Sequence, residues 1–239
     1  MRLDVFLHEK NYAESRNKAA DLITNGSVKI NGAVVTKPSA NVSDDCEIEI
    51  ISRLQYVGKA AHKLETAAEI FGISFAGLTC LDAGASTGGF TDFMLQKGAK
   101  KIYAVDVGEN QLHKSLRENP RVVGIEKQDI RSLKLPEKVD FITADLSFIS
   151  LTKVLPYFRD FIKPGAGSAV LIKPQFEVGR IAKSRMKNGV LTDMKLVQKT
   201  VKKVEEFTQN LGCEIIGTVP SKLNQKGKNS EFICYFKWG

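Results

Sequence analysis

The alternation of apolar and polar residues predicts a compact unit of two helices and a small sheet over the first fifty residues. Apolar positions at helical spacing predict a short helix that begins at Leu3 and a second over 15–25, with Ser15 as its N-cap. Alternation with a period of two predicts strands at 28–30, 33–35 and 46–51, and Asn31-Gly32 is typical of a hairpin turn. So small a core favours a binding module over a catalytic one.

From residue 78 onward, apolar strands alternate with amphipathic helices, after a helix predicted over 64–71. The strands are predicted at 79–82, 101–106, 122–126, 139–144 and 168–173, and this order is typical of an α/β, doubly wound parallel sheet. A last pair at 214–219 and 231–236 is predicted to be antiparallel at one edge. We therefore predict a small domain over 1–52, a linker over 53–60 and an α/β domain over 61–239.

The stretch that follows the first strand of the α/β domain is rich in glycine, at positions 84, 88 and 89. Glycines allow a sharp turn and the close approach of a ligand, and the N–H groups of the next helix point at that ligand. Ser86 replaces the middle glycine of the dinucleotide fingerprint, and Phe90 and Thr91 replace the Lys and Ser/Thr of a P-loop. A smaller nucleoside cofactor is favoured, although an ordinary strand–helix loop would also explain this segment alone.

Ligands of such sheets bind beyond the carboxyl ends of the strands, so the residues found there are candidate site residues. Four carboxylates and a lysine follow the predicted strands: Asp82, Asp106, Asp129, Asp145 and Lys173. Asp106 lies twenty-two residues after Gly84, close to the spacing at which a carboxylate accepts hydrogen bonds from ribose hydroxyls. Asp129 is placed to accept a bond from an adenine amino group. Each residue alone could cap a helix, but all five together favour a binding site.

A lysine among these carboxylates suits the activation of a hydroxyl group. Lysine acts as a base only when its pKa falls towards neutrality, and a second cation with partial burial favours that fall. Lys63 and Lys173 would provide this arrangement if they meet, with Asp145 orienting them.

Several segments resemble those of the FtsJ-like ribose methyltransferases. The pattern Asp-x-Gly-x-x-x-Gly-Gly-Phe-Thr at 82–91 resembles their cofactor loop. Their Lys–Asp–Lys–Glu tetrad is matched by Lys63, Asp145, Lys173 and Glu231. The resemblance implies S-adenosylmethionine as cofactor and Lys173 as general base. The cofactor residues expected are Asp82, Gly84, Ser86, Gly88, Gly89, Phe90, Asp106, Asp129 and Asp145.

The first fifty residues resemble the S4-type RNA-binding domain, at Arg2-Leu3-Asp4, Ser15-Arg16, Gly26-Ser27-Val28, Asn31-Gly32 and Lys37-Pro38-Ser39. RNA contacts are therefore expected from Arg2, Arg16, Lys18, Lys29 and Lys37, and from Lys59 beside the tetrad. The acidic run at 44–49 would have to face away from RNA. With both parts, the chain resembles the TlyA/hemolysin A family, which implies 2′-O-methylation of ribosomal RNA at a cytidine. Gly58-Lys59-Ala60-Ala61 departs from the family's Ser-Arg-Gly-Gly, and the segment before Glu231 is richer in lysine than expected.

Charge and composition narrow the classes of function further. The net charge is +8, and residues 173–239 hold thirteen Lys or Arg against six Asp or Glu, which suits ribosomal RNA or a ribosomal subunit as partner. A solvated basic surface is the alternative. Four scattered cysteines predict no metal site and no disulfide framework. Without an apolar run of membrane-spanning length or a signal peptide, we expect a cytoplasmic protein that does not bind membranes.

Three other functions compete with RNA methylation. An oxidoreductase on the same sheet is disfavoured by Ser86 in the fingerprint. A non-catalytic ribosome assembly factor has no need of paired lysines among carboxylates, and no segment favours a haemolysin that inserts into a bilayer. The modified nucleotide, the form of the RNA substrate and the oligomeric state stay open.

Overall fold

A computed structural model describes residues 1–24, 26–51, 56–179, 186–221 and 227–239. The chain divides into two compact units, Met1–Gln55 and Tyr56–Gly239. The predicted helix end at Asn25, part of the predicted linker and Lys226 in the segment before Glu231 lie outside the described residues. No helix in the described ranges is long and apolar enough to cross a bilayer.

The smaller unit contains α1 (Leu3–Glu9), α2 (Arg16–Thr24), β1 (Val28–Ile30), β2 (Ala33–Val34) and β3 (Ile48–Ile50). Its antiparallel sheet has the order β2-β1-β3. Ser15 Oγ accepts a hydrogen bond from Lys18 N at 3.2 Å, as predicted for an N-cap. Asn31 and Gly32 have φ values of 49° and 80°, the left-handed conformation that a two-residue hairpin turn of this type requires.

The larger unit begins with residues 56–60, which the sequence placed in the linker. Tyr56 is buried in a hydrophobic cluster of this unit, and Val57 N donates to Oδ2 of Asp92 at 2.8 Å. The elements that follow, in chain order, are α3 (Ala61–Phe71), β4 (Thr79–Ala83), α4 (Gly89–Gln96), β5 (Lys101–Val105), α5 (Lys114–Arg117), β6 (Val122–Ile125), β7 (Val139–Ala144), α6 (Leu155–Phe158), β8 (Ile162–Ile172), α7 (Pro174–Glu177), β9 (Met186–Lys187), β10 (Val190–Leu191), α8 (Met194–Asn210), β11 (Cys213–Pro220) and β12 (Phe232–Trp238).

Seven strands form one sheet in the order β11-β12-β8-β7-β4-β5-β6. The strands from β8 to β6 in this order are parallel, and β12 is antiparallel to both β8 and β11, as predicted for the last pair. Neighbouring residues of β4 face opposite sides, since Leu81 joins a hydrophobic cluster with α6 and α8, whereas Cys80 joins one with α3, α4 and α5. Helices therefore cover both faces, as the α/β prediction required.

The predicted strand ends differ from the observed ones by at most two residues, except at β8. This strand begins at Ile162 rather than near 168, because Pro164, Gly165 and Gly167 conceal the strand pattern in the sequence. A register shift against β7 accommodates this irregular stretch. Since the parallel strands end at one edge, Gly84, Asp106, Asp145 and Lys173, each directly after its strand, lie along that edge.

Candidate active site

The four residues of the predicted tetrad meet in one cluster of ion pairs. Nζ of Lys63 lies 2.7 Å from Oε2 of Glu231 and 3.4 Å from Oδ2 of Asp145. Nζ of Lys173 lies 2.6 Å from Oδ1 of the same aspartate. Asp145 therefore stands between the two ammonium groups, as a carboxylate that orients both lysines must.

Ser147 is a fifth member of this cluster. Its Oγ accepts a hydrogen bond from Nζ of Lys173 at 2.9 Å. Oδ1 of Asp145 is buried and has no hydrogen-bond partner among the described residues, so its contact with Lys173 is an ion pair without hydrogen-bond geometry. The Lys173 ammonium is thus held by two oxygens of one loop. The sequence indicated Asp145 but not Ser147, which occupies no position of a recognised motif.

Burial and charge act against each other at Lys63. Its side chain is 13% exposed, and burial, the largest effect, by itself lowers the pKa of Lys63. Asp145 and Glu231 favour the charged form and outweigh burial together, so the pKa of Lys63 is raised. Lys63 is therefore a permanent cation of the site.

Two clefts border the tetrad at the carboxyl edge of the sheet. The lining of the larger, about 310 Å³, includes Gly84, Ser86, Asp106, Asp129 and Asp145. The smaller, about 250 Å³, shares Gly84, Ser86, Asp145 and Ser147 with it, and its lining also includes Asp82, Gly89, Phe90 and Lys173. Most of the predicted cofactor residues thus surround one region of small-molecule size.

The glycine-rich loop is shaped to approach the neighbouring strand closely. Gly84 has a φ of 79°, and a Cβ there would lie 2.8 Å from the carbonyl oxygen of Asp145. Gly88 has a φ of 95°, and a Cβ there would collide with Leu116. Gly88 lines neither cleft, and it shapes the loop on the side that packs against Leu116.

Asp106 ties this loop to the next strand. Its Oδ2 accepts from Ser86 N and its Oδ1 from Gly108 N, both at 2.8 Å. Each carboxylate oxygen has a second lone pair, so the side chain can still accept from a ligand hydroxyl. This geometry fits the nucleoside part of a cofactor.

Asp82, expected beside the cofactor, borders the smaller cleft with a carboxylate that is engaged inside the domain. The residue is 1% exposed, and its oxygens accept from Thr91 Oγ1 at 2.7 Å and Thr143 Oγ1 at 2.9 Å. Burial raises the pKa of Asp82 to about 6, while the two hydroxyls partly oppose this rise. Its observed contacts fasten β4 to α4 and β7.

Asp129 lines the larger cleft beside a cation that the sequence analysis did not single out. Nη2 of Arg131 lies 2.6 Å from Oδ2 of Asp129, and this guanidinium lowers the pKa of the carboxyl to about 2. Asp129 is therefore a permanent acceptor in the cleft.

Three further residues near the clefts were not anticipated. Glu126 accepts from the backbone N–H groups of 110–112 at 2.7–3.2 Å and so fixes the loop after β5. Glu177 is 6% exposed and accepts from Ser150 Oγ at 2.5 Å and Leu151 N at 2.7 Å, which ties α7 to the loop that carries Asp145. Phe148 lines the larger cleft, is 91% exposed and has a φ of 65°, which is rare for a bulky residue. Its exposure at the cleft, which only the structure shows, identifies it as a candidate site residue.

Among the predicted RNA-binding residues, several already have acidic partners. Asp4, a buried carboxylate, lies 2.9 Å from Nη2 of Arg2 and 3.2 Å from Nε of Arg16. Lys29 lies 3.3 Å from Glu49, directly opposite on the neighbouring strand, so one residue of the acidic run shares a sheet face with a predicted RNA contact. Lys37 and Lys59 are exposed and Lys18 is half-buried.

Comparisons with known proteins match both units. A family model described as FtsJ-like methyltransferase matches residues 56–238, and one described as S4 domain matches residues 1–48. The chain is 42% identical over 243 residues to the 16S/23S rRNA (cytidine-2′-O)-methyltransferase TlyA of Mycobacterium tuberculosis, covering 99% of this chain and 88% of that protein. It is 40% identical over 240 residues to Hemolysin A of Brachyspira hyodysenteriae, covering 99% of each.

A solved structure described as a candidate hemolysin from Streptococcus thermophilus has a TM-score of 0.76 and 34% identity, and the match covers 100% of this chain and 88% of that one. The matches confirm the expected Rossmann-like methyltransferase fold, the enzymatic class and S-adenosylmethionine as cofactor. They also confirm the small RNA-binding domain. The chain therefore belongs to the FtsJ-like methyltransferase family, with an S4 domain ahead of its methyltransferase domain.

Proposed function

We propose that this protein methylates the 2′-hydroxyl of a cytidine ribose in ribosomal RNA, with Lys173 as general base. The bound cofactor supplies a methyl group on a sulfonium. The ribose oxygen forms a bond to the methyl carbon as the carbon–sulfur bond breaks, and the hydroxyl proton passes to Nζ of Lys173. The observation that carries this proposal is the cluster in which Asp145 contacts both Lys63 and Lys173.

Some residues of the protein position the proposed base, one supplies positive charge beside it, and others line the cofactor cleft. Asp145 and Ser147 hold Nζ of Lys173 at the border of the smaller cleft. Lys63, kept cationic by Asp145 and Glu231, places a fixed positive charge beside the proposed base. Gly84 and Asp106 shape and line the cleft that would hold the cofactor's nucleoside.

Two observations support the choice of substrate. The name of the M. tuberculosis relative specifies cytidine in 16S and 23S rRNA, and the S4 domain is an RNA-binding module by family. We assign RNA contacts to Arg2, Arg16, Lys18, Lys29, Lys37 and Lys59. Of these, Arg2 and Arg16 already pair with Asp4, and Lys29 already pairs with Glu49. With ribosomal subunits as its substrate, the protein is proposed to act in the cytoplasm.

The test is transfer of radiolabelled methyl from S-adenosylmethionine to purified small subunits, large subunits and protein-free ribosomal RNA. The wild type, Lys173→Ala and the control Lys163→Ala are compared. Lys163 is an exposed lysine near the opposite end of the same strand, paired with Asp140 at 2.6 Å. We expect wild type and control to label a ribose, and Lys173→Ala to lose about 100-fold or more, the usual contribution of a general base.

Cofactor affinity, measured by calorimetry, should stay near wild type in Lys173→Ala. Unchanged turnover in Lys173→Ala would remove this residue as the base. Cofactor binding by the wild type without label in any RNA would instead favour the non-catalytic assembly factor.

A further inference from the structure

We propose that the lysines of α8 form a second surface for RNA phosphates, on the methyltransferase domain itself. The inference rests on the proposed function, since the partner it assigns is the backbone of the target RNA. The sequence of α8 places all four of its lysines before both of its glutamates: Lys195, Lys199, Lys202 and Lys203, then Glu205 and Glu206.

Three of these lysines share one exposed stripe. Lys195, Lys199 and Lys203 are spaced four residues apart, which aligns them along a helix, and all three are exposed. The opposite side of α8 is buried through Val197 and Val204. None of the three lysines has an acidic group within ion-pair distance in the part of the chain that the structure describes.

Helix stability does not explain this pattern. Like charges four residues apart repel each other, and Lys195 in the first turn of α8 opposes the helix dipole. The pair Lys202–Glu206, at 3.9 Å, has the lysine first, which is the weaker order for such a pair. Charges that reduce the stability of their own helix in this way point to a binding partner that carries negative charge.

The stripe begins at the edge of the sheet that holds the active site. Because β12 is antiparallel to both β8 and β11, those two strands run in the same direction. The connecting α8 therefore starts towards the edge where β8 ends at Lys173 and runs away from it. The lysine-rich first half of α8 is thus the half nearer the active-site edge.

A cleft of about 410 Å³ lies beside the stripe. Its charged lining residues are Lys199, Lys202, Lys203 and Glu206 on α8 and Glu177 on α7. Glu177 is buried, and it accepts from Ser150 Oγ and Leu151 N in the loop that follows Asp145. Glu177 therefore joins the cleft beside the stripe to the loop that follows Asp145.

The chemistry of the surface fits a phosphate backbone rather than bases. Lysine ammonium groups act as mobile point charges, which suit phosphate oxygens without reading sequence. Such contacts release condensed counterions, so their number appears in the salt dependence of affinity.

The experiment compares the wild type with Lys199→Gln/Lys203→Gln, and with the control Lys100→Gln/Lys138→Gln. The control lysines are exposed and immediately precede β5 and β7, at the opposite edge of the sheet, so the same charge is removed far from the site. Binding to protein-free ribosomal RNA is measured over a series of salt concentrations. We expect the slope of log affinity against log salt to fall by about one per lysine in the first variant and to stay unchanged in the control.

Methyl transfer gives a second readout: KM for RNA should rise in Lys199→Gln/Lys203→Gln with kcat and cofactor affinity unchanged. Glutamine is a good helix former, and Lys199→Arg/Lys203→Arg should keep the wild-type slope, which separates charge from folding. An unchanged slope in the glutamine variant, or an equal fall in the control, would overturn the proposal. So would a loss of affinity for whole subunits only, which would assign the surface to an acidic ribosomal protein.

The binding measurement decides this inference even if the proposed function fails. A wild type that binds RNA without methylating it would refute the reaction, whereas the comparison of slopes would still accept or reject the α8 surface.

Discussion

Lys63 and Glu231, from opposite ends of the methyltransferase domain, form an ion pair with 2.7 Å between Nζ and Oε2. The two side chains are 13% and 22% exposed, so water screens the pair only partly. With Asp145 on its other side, the pKa of Lys63 is raised despite burial. Lys63 is thus a fixed positive charge beside Asp145 and the proposed base.

Removing the charge of Lys63 should shift the pH dependence of methyl transfer. A positive charge near a base lowers the pH at which the base loses its proton, so loss of this charge in Lys63→Met should move the half-maximal rate to higher pH. Lys63→Arg keeps the charge and should hold the half-maximal pH near wild type, even if the rate falls. Single-turnover rates over a pH series measure this, and an identical profile in Lys63→Met would contradict the assigned role.

The sequence was sufficient to predict the sheet and the residues at its carboxyl edge. Parallel strands bring their ends to one edge, which predicted the positions of Asp145 and Lys173. Lys63 on α3 and Glu231 before β12 were expected beside them from the resemblance to the FtsJ-like tetrad. Side-chain direction was not predictable to the same degree. Asp82 ends a predicted strand as Asp106 does, yet its carboxylate is enclosed by Thr91 and Thr143.

Most of the other contacts that the sequence did not predict join residues that are distant along the chain. Nothing near Glu177 in the chain indicates that it reaches Ser150, and nothing near Lys29 indicates that Glu49 faces it across the sheet. These contacts depend on register and loop shape, which hydrophobic patterns do not encode.

Gly84→Ala should impair the active site more than it impairs folding. The new Cβ would press on the carbonyl oxygen of Asp145 and displace that residue from the two lysines. The matched control is Gly72→Ala, since Gly72 also has a positive φ, 64°, but no other atom lies within 4 Å of the position that its new Cβ would take.

Both substitutions should cost about 1 kcal/mol or more in unfolding free energy from backbone strain. Only Gly84→Ala should lose cofactor affinity and methyl transfer at a temperature where both variants are folded. Urea unfolding and calorimetric titration measure these effects. Equal activity in the two variants would mean that the close approach at Gly84 is dispensable.

Asp106→Asn should weaken cofactor binding. One carboxylate oxygen becomes an amide nitrogen that cannot accept from Ser86 N or Gly108 N, and the negative charge that Asp106 places in the cleft is lost. Loss of a charge-assisted hydrogen bond corresponds to roughly a 10- to 100-fold rise in Kd. Glu109→Gln is the control, because Glu109 pairs with Lys127 at 2.6 Å and lines neither cleft. A similar Kd for both variants would argue against Asp106 as a cofactor residue.

Glu177→Gln should lower kcat while leaving the cofactor Kd unchanged. Glutamine keeps one acceptor for Leu151 N or Ser150 Oγ but turns a donor towards the other, which loosens the loop after Asp145. Glu206→Gln is the control, because Glu206 is exposed and lines the same 410 Å³ cleft as Glu177. This substitution should not change kcat. Equal turnover in wild type and Glu177→Gln would show that the loop holds its shape without this carboxylate.

Asp82 should make the stability of the methyltransferase domain depend on pH in an identifiable window. Its pKa is about 6 in the folded protein against about 3.9 when unfolded, so the folded state binds the proton more tightly. The stabilisation from this group is full below about pH 3.9, falls as pH rises, and is lost above about pH 6, a change of roughly 3 kcal/mol. In Asp82→Asn the altered bonds to Thr91 and Thr143 give a constant offset that does not titrate. Urea unfolding should therefore show the wild type losing stability relative to Asp82→Asn across this window, and a constant difference would indicate that the Asp82 carboxyl keeps an ordinary pKa when buried.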